Sequence, residues 1–197
     1  MIEPTLFVAH GSGAGHSTPF LNSLITALEQ SNTSIKQVTP VTFSYMEQQE
    51  KEGKKRPPPR IDKLIPEYQN IVGNDTCIVA GKSLGGRVAT QLSCLPNVKA
   101  IVCFGFPFHP PGKQEKHRLS FIQGLKVPCL IIQGTRDKLG NYEWVNQQAI
   151  PNNVDIIWIE GADHDFKTLK SFKKNQMETV FEIAEITKNW LKKTVGV

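Results

Sequence analysis

Ile78-Val79-Ala80-Gly81-Lys82-Ser83-Leu84-Gly85-Gly86 is the stretch on which the reading of this chain turns. An apolar, strand-like run stops at Gly81, and a helical spacing of apolar residues, Leu84, Val88, Ala89 and Leu92, starts just after Ser83. Between them Gly81, Ser83 and Gly85 spell G-x-S-x-G, the pattern of a nucleophile elbow. In such a turn a serine is held in strained backbone geometry with its hydroxyl lifted clear of a sheet. The flanking glycines are small because strand and helix pass close to each other. Leu84, opening the helix, would aim its N–H at a developing oxyanion. Three common residues in this spacing also arise by chance, so the weight comes from what surrounds them.

Upstream, Thr5-Leu6-Phe7-Val8-Ala9 is a short continuous apolar run, as expected of a buried parallel strand. It ends in His10-Gly11-Ser12-Gly13-Ala14-Gly15, and a helix follows over about residues 18–30, with Phe20, Leu21, Leu24, Ile25 and Leu28 on one face. The glycine loop lacks the Lys-Ser/Thr that closes a P-loop, and it lacks the last glycine of a dinucleotide-binding G-x-G-x-x-G, since His16 or Thr18 stands there. As an H-G-rich loop that donates a backbone N–H to an oxyanion it lacks nothing. Ser12 N–H is the favoured donor, with Gly11 and Gly13 as alternatives.

Residues 35–43 read as a second strand, placed at an edge by Pro40. Residues 45–60 are charged, end in Arg56-Pro57-Pro58-Pro59-Arg60, and read as a polar excursion. Leu64, Ile65, Tyr68, Ile71 and Val72 mark a helical face before the third strand at residues 77–80. Further strands are expected at residues 98–104, 127–132 and 154–159, with helices over 142–149 and 175–192. About six apolar strands alternating with helices predict one α/β domain over residues 1–197: three layers, a mostly parallel sheet, and ligands at the carboxyl ends of its strands.

Ser83, Asp137 and His164 each follow such an end. Serine is a weak nucleophile at neutral pH and needs an adjacent base, which in turn needs an orienting group. These three stand in the order Ser, Asp, His, so His164 is expected to take the Ser83 proton and Asp137 to hold the imidazole. His10 is expected to brace the glycine loop, and His16 and His117 to lie at a helix start and on the surface. Asp163 and Asp165 flank His164 too closely in sequence to face its ring and are read as structural.

Composition bounds the remaining possibilities. The chain has 197 residues and a net charge of +5, with the lysine excess split between residues 51–63 and 167–174. That excess has no aromatic interleaving, so it reads as solvated surface and not as a nucleic-acid footprint. Met1-Ile2-Glu3-Pro4 shows neither a basic region nor a long apolar segment, and no apolar run reaches the ~20 residues that span a bilayer. A cytoplasmic protein with no nucleic-acid or membrane partner is expected. Cys77, Cys94, Cys103 and Cys129 have no metal-ligand spacing and are read as small buried hydrophobes. No metal or organic cofactor is called for.

Gly81-Lys82-Ser83-Leu84-Gly85-Gly86, Pro107-Phe108-His109-Pro110-Pro111-Gly112-Lys113, Gln133-Gly134-Thr135-Arg136-Asp137 and Ala162-Asp163-His164-Asp165-Phe166-Lys167 resemble the motifs of a family of small α/β hydrolases. That family is similar to dienelactone hydrolase. It includes bacterial proteins and a testis-expressed animal protein, and is related to the hydrolase-like domain of a subunit of the NSL chromatin complex. The resemblance runs from His10-Gly11 to the last helix. It implies a strand order of 2-1-3-4-5-6 and a triad at Ser83, Asp137 and His164. Dienelactone hydrolases proper use a cysteine where this chain has Ser83, so the triad carries over and the dienelactone substrate does not.

The expected activity is hydrolysis of an ester, thioester or related acyl bond of a small molecule through an acyl-enzyme on Ser83. The alternative is a non-catalytic interaction module that keeps the fold. No insertion after the fourth strand is long enough for a helical cap. The proline-stiffened segment at residues 106–113 leaves the strand next to the nucleophile strand, so Phe108 and His109 are expected to form a wall of the substrate pocket.

Overall fold

Alternation along the strands sorts the core into two halves. In the computed structural model, which describes residues 3–30 and 35–197, the central strands are β1 (Thr5–Ala9), β3 (Cys77–Lys82), β4 (Val98–Phe104) and β5 (Cys129–Gly134). Leu6, Val8, Ile78, Ala80, Ala100, Val102, Phe104, Leu130 and Ile132 point to one face, and Phe7, Ala9, Val79, Ile101, Cys103 and Ile131 to the other. A strand buried on both faces has no polar positions to spare, which is why these runs are continuously apolar. Met1 and Ile2, read above as lacking leader character, lie outside the described residues.

With β2 (Gln37–Val41) and β6 (Val154–Ile159), the strands form one parallel sheet in the order β2-β1-β3-β4-β5-β6. Pro40 lies on the edge strand β2, where a missing N–H costs no ladder bond to a further strand. The first face is covered by α1 (Pro19–Gln30) and α6 (Gln176–Val195), which pack on each other. The second is covered by α2 (Ser44–Glu52), α3 (Ile61–Val72), α4 (Leu84–Thr90) and the single turn α5 (Tyr142–Val145). Asn175 and Glu178 close a reciprocal capping box at the start of α6, which also runs three residues beyond the expected end.

Two expectations about this framework are corrected. Residues 44–52 are a helix and not an irregular excursion: Tyr45 and Met46 bury themselves against the sheet, and the Ser44 N–H donates to the Glu67 carboxylate of α3. The many charges of that stretch masked two apolar anchors. Cys77, Cys103 and Cys129 are buried as expected, but Cys94, just beyond α4, is exposed. Between β4 and β5 the chain makes only two three-residue 3-10 turns, Gln114–Lys116 and Leu119–Phe121, so no helical cap covers the strand ends. Among the described residues no helix is long and apolar enough to cross a membrane.

Candidate active site

β3 runs into α4 through Ser83, whose φ of 51° and ψ of −108° fall outside the regions open to most L-residues. Such strain persists only where the surroundings over-determine it. Here a Cβ on Gly85 would lie 2.6 Å from the carbonyl oxygens of both Ala9 and His10, so α4 can approach the end of β1 only because that residue is glycine. Ser83 N–H donates to Phe104 O at 3.0 Å, tying the turn to β4.

Asp137 follows β5 and is fully buried. Its Oδ1 accepts from Leu139 N–H at 2.8 Å, and its Oδ2 accepts from Gln133 Nε2 at 2.9 Å and meets His164 Nδ1 at 2.7 Å. His164 Nε2 lies 3.0 Å from Ser83 Oγ. One line of hydrogen bonds thus joins Ser83 to His164, 81 positions apart in the chain, and His164 to Asp137, 27 apart, as the order of motifs anticipates. A hydroxyl in contact with an imidazole that a buried carboxylate orients is equipped for nucleophilic attack on a carbonyl.

The turn carrying His164 is held from both sides. Asp163 Oδ1 accepts from the N–H groups of Asp165 and Lys167, both at 2.9 Å, and so acts as a local cap, as read from sequence. Arg136 N–H donates to Ala162 O at 3.0 Å, and Thr135 Oγ1 accepts from Gly161 N–H at 2.8 Å, locking this turn to the Asp137 loop. Gln133 was not singled out from sequence. Its amide also donates to Phe106 O and Gly140 O, at 3.2 and 3.1 Å, so it fixes the loop in which Asp137 sits.

His10 braces the glycine loop. Its Nδ1 donates to Gly11 O at 2.7 Å and its Nε2 accepts from Phe43 N–H at 3.1 Å, a pairing that requires the neutral imidazole. His16, in the turn before α1, is half-buried, with Nε2 donating to Val8 O at 2.8 Å. Burial lowers the His10 pKa to about 4, against the opposing pull of the Gly11 carbonyl. An unfolded histidine protonates near pH 6.5, so below that pH the unfolded chain takes up a proton that folded His10 refuses. The stability this provides is complete above pH 6.5 and is lost as pH falls to about 4, by on the order of 3 kcal/mol. Urea unfolding between pH 7 and pH 4 is expected to show that loss. A His10→Gln protein, unable to charge there, is expected to lack this component; an identical slope in both proteins would overturn the assignment.

Beside Ser83 and His164 opens a cavity of about 440 Å³. Its walls are the loop from Gly11 to Ala14, the start of α1 from Thr18 to Leu21, Lys82, and the segment carrying Asp165 and Lys167, with Gln176 at its edge. Ser12 of the glycine loop lines it. Phe20 and Leu21, which their spacing puts on one helical face, are core residues that also form the cavity's apolar wall.

Phe108 and His109 are not part of this cavity, and the expectation that they wall it is corrected. Phe108 is fully buried, edge-on to Phe106 and close to Trp144, in the core half under α2 to α5. His109 is 4% exposed, its Nδ1 bonded to Pro110 O and its ring edge-on to Trp144. The physical reason is the side of the sheet. The cavity opens on the α1/α6 side, whereas two phenylalanines at 106 and 108 gain more by turning into the opposite apolar half. There the loop supports the acid, since His109 N–H donates to Leu139 O and Phe106 O accepts from Gln133.

Residues 3–192 match the alpha/beta hydrolase domain family, and the chain belongs to that family. Solved structures of similar fold include a serine hydrolase involved in carbazole degradation, at 16% identity and a TM-score of 0.67 over 96% of this chain and 91% of that one. A dienelactone hydrolase from Anabaena variabilis matches at 18% identity and a TM-score of 0.63, covering 98% of this chain and 87% of the other. The esterase domain of a Rhodothermus marinus protein matches at 14% and 0.60, covering 98% and 89%. At such identities the likeness is one of fold.

Proposed function

We propose that this protein is a serine hydrolase that cleaves an ester, thioester or related acyl bond through an acyl-enzyme on Ser83. The observation that carries this reading is the unbroken chain Ser83 Oγ, His164, Asp137, with contacts of 3.0 and 2.7 Å, at the edge of an accessible cavity. Fold relatives that are called serine hydrolase and esterase support it.

In this reading Ser83 Oγ attacks the acyl carbonyl while His164 Nε2 takes its proton. Asp137 keeps the Nδ1–H tautomer in place and stabilises the imidazolium. The carbonyl oxygen, now negative, receives the N–H of Leu84 at the start of α4 and that of Ser12 from the glycine loop. His164 then returns its proton to the departing alkoxide or thiolate, and the acyl group stays on Ser83. Water attacks the acyl-enzyme by the same steps in reverse roles and frees the acid. A cytoplasmic location belongs to this reading, and four free cysteines support it.

The test is labelling with a fluorophosphonate probe, followed by peptide mass spectrometry, together with turnover of p-nitrophenyl esters from acetate to palmitate. A single adduct on Ser83 and hydrolysis of soluble short-chain esters without activation by a lipid interface are expected, because no cap covers the strand ends. Absence of any adduct on folded protein would overturn the hydrolase reading in favour of a non-catalytic module.

A further inference from the structure

Lys82 stands where strand alternation calls for a hydrophobe. It follows Ile78 and Ala80 on the face of β3 that looks toward α1 and α6, and both of those are fully buried core residues. The lysine is itself 7% exposed. Its stem runs along Gly11, whose added Cβ would sit 3.7 Å from Lys82 Cγ, and its ammonium lies 6.0 Å from the centre of the Phe166 ring. Desolvating an ammonium is costly unless an anion repays it. The nearest anion is a weak partner. Asp165 Oδ1 is 3.6 Å from Nζ, well beyond the 2.7–2.9 Å of a charge-assisted hydrogen bond, and the Asp165 side chain is 65% exposed to competing water. Burial accordingly lowers the Lys82 pKa, with Asp165 first and then the more distant Asp137 and Asp163 pulling the other way.

The place of that under-compensated cation matters. Lys82 lines the same cavity as Ser83 and His164. The charged residues of the cavity wall, His164 aside, are Lys82 and Lys167 against Asp165 alone, so the walls carry an excess of positive charge. The same walls include the apolar side chains of Phe20 and Leu21, suited to a short hydrocarbon segment. A guest complementary to this arrangement has a scissile acyl bond, a few methylenes and an anionic end.

We propose that Lys82 forms a carboxylate-recognition subsite, and that the substrates of this hydrolase are esters or thioesters bearing a free carboxylate, such as half-esters of dicarboxylic acids. This rests on the hydrolase reading given above and names its substrate class. The ammonium offers three donors, and a carboxylate brought into the cavity would bond it directly where Asp165 meets it only from the rim. Binding energy made at that end of the substrate positions the acyl carbon at Ser83.

The experiment compares chain-matched pairs: mono-p-nitrophenyl adipate with p-nitrophenyl hexanoate, and mono-p-nitrophenyl suberate with p-nitrophenyl octanoate. A third pair, 4-hexanoyloxybenzoate against phenyl hexanoate, places the carboxylate on the leaving group and distinguishes which side of the bond carries it. In the wild type at least one carboxylate ester is expected to exceed its neutral partner in kcat/KM by roughly 10- to 100-fold, the range for a hydrogen bond to a charged group. In Lys82→Met that ratio is expected to fall to about one or below, as the anion then meets no cation. An equal fall in kcat for both members of a pair, with the ratio kept, would show that Lys82 only pins the His164 turn through Asp165 and would overturn the subsite. A second measurement needs no variant: adipate dianion is expected to inhibit turnover of p-nitrophenyl hexanoate competitively, less at high salt, whereas 1,6-hexanediol does not. Ser83 labelling with neutral-ester turnover, but with no carboxylate preference and no adipate inhibition, would sink the subsite and leave the hydrolase reading standing. Failure of both labelling and turnover would remove both.

Discussion

Ser83→Ala is expected to abolish fluorophosphonate labelling and to lower kcat for p-nitrophenyl esters by about 10⁶-fold, the loss found when the nucleophile of such a triad is removed. Ser83 Oγ is the atom that both touches His164 Nε2, at 3.0 Å, and lines the cavity. No cysteine stands in for it: Cys103 lies beneath Gly86, donating toward its carbonyl, and is fully buried. Alanine keeps the Cβ and removes only the oxygen, and Ser83 makes no side-chain cap to α4 that would be lost. The variant should therefore fold, as an unchanged melting transition would verify. Wild-type turnover in that folded protein would overturn the mechanism.

Asp137→Asn is the second large effect, expected near 10⁴-fold in kcat, as for a triad aspartate in another fold. Every atom facing this carboxylate is a donor: Leu139 N–H at Oδ1, and Gln133 Nε2 and His164 Nδ1 at Oδ2. An asparagine amide has one oxygen and one NH₂ group, so one side must set donor against donor in a site with no access to water. If the NH₂ turns to His164, the imidazole accepts at Nδ1, carries its proton on Nε2, and can no longer act as base toward Ser83. If it turns to Leu139, a part-buried backbone N–H loses its acceptor. Asp163→Asn is the control. Asparagine retains the single Oδ1 acceptor that holds the turn, so little change in kcat is expected. A large loss at Asp163 with a small one at Asp137 would refute the assignment of the orienting acid.

The accuracy of the sequence reading differs between the parts of the site for physical reasons. Ser83, Asp137 and His164 were legible because a parallel α/β sheet gathers the ends of β3, β5 and β6 on one edge, so residues just past those ends meet whatever their separation in sequence. Gly85 was legible because a close crossing of backbones admits no side chain. Phe108 and His109 were misplaced because the end of a strand says only that a loop opens on that edge of the sheet. Which of the two faces the loop turns to was set by the competition of Phe106 and Phe108 for the apolar half beneath α2 to α5. Helix α2 was missed for a related reason, since Tyr45 and Met46 define a buried face only when β1 and β2 are already in place.

By itself the sequence determined the class of fold, the strand order that its resemblance implied, the elbow, and the three residues that hydrogen-bond through it, because each depends on local patterning or on the ends of strands. Tertiary structure alone decided which side of the sheet holds the cavity, that Phe20 and Leu21 of α1 line it, that Gln133 holds the Asp137 loop, and that Lys82 is buried beside Ser83. Those are properties of space between elements. A side chain's partner across a packed interface follows from how helices and loops settle against the two faces of the sheet, and no spacing within one segment encodes it.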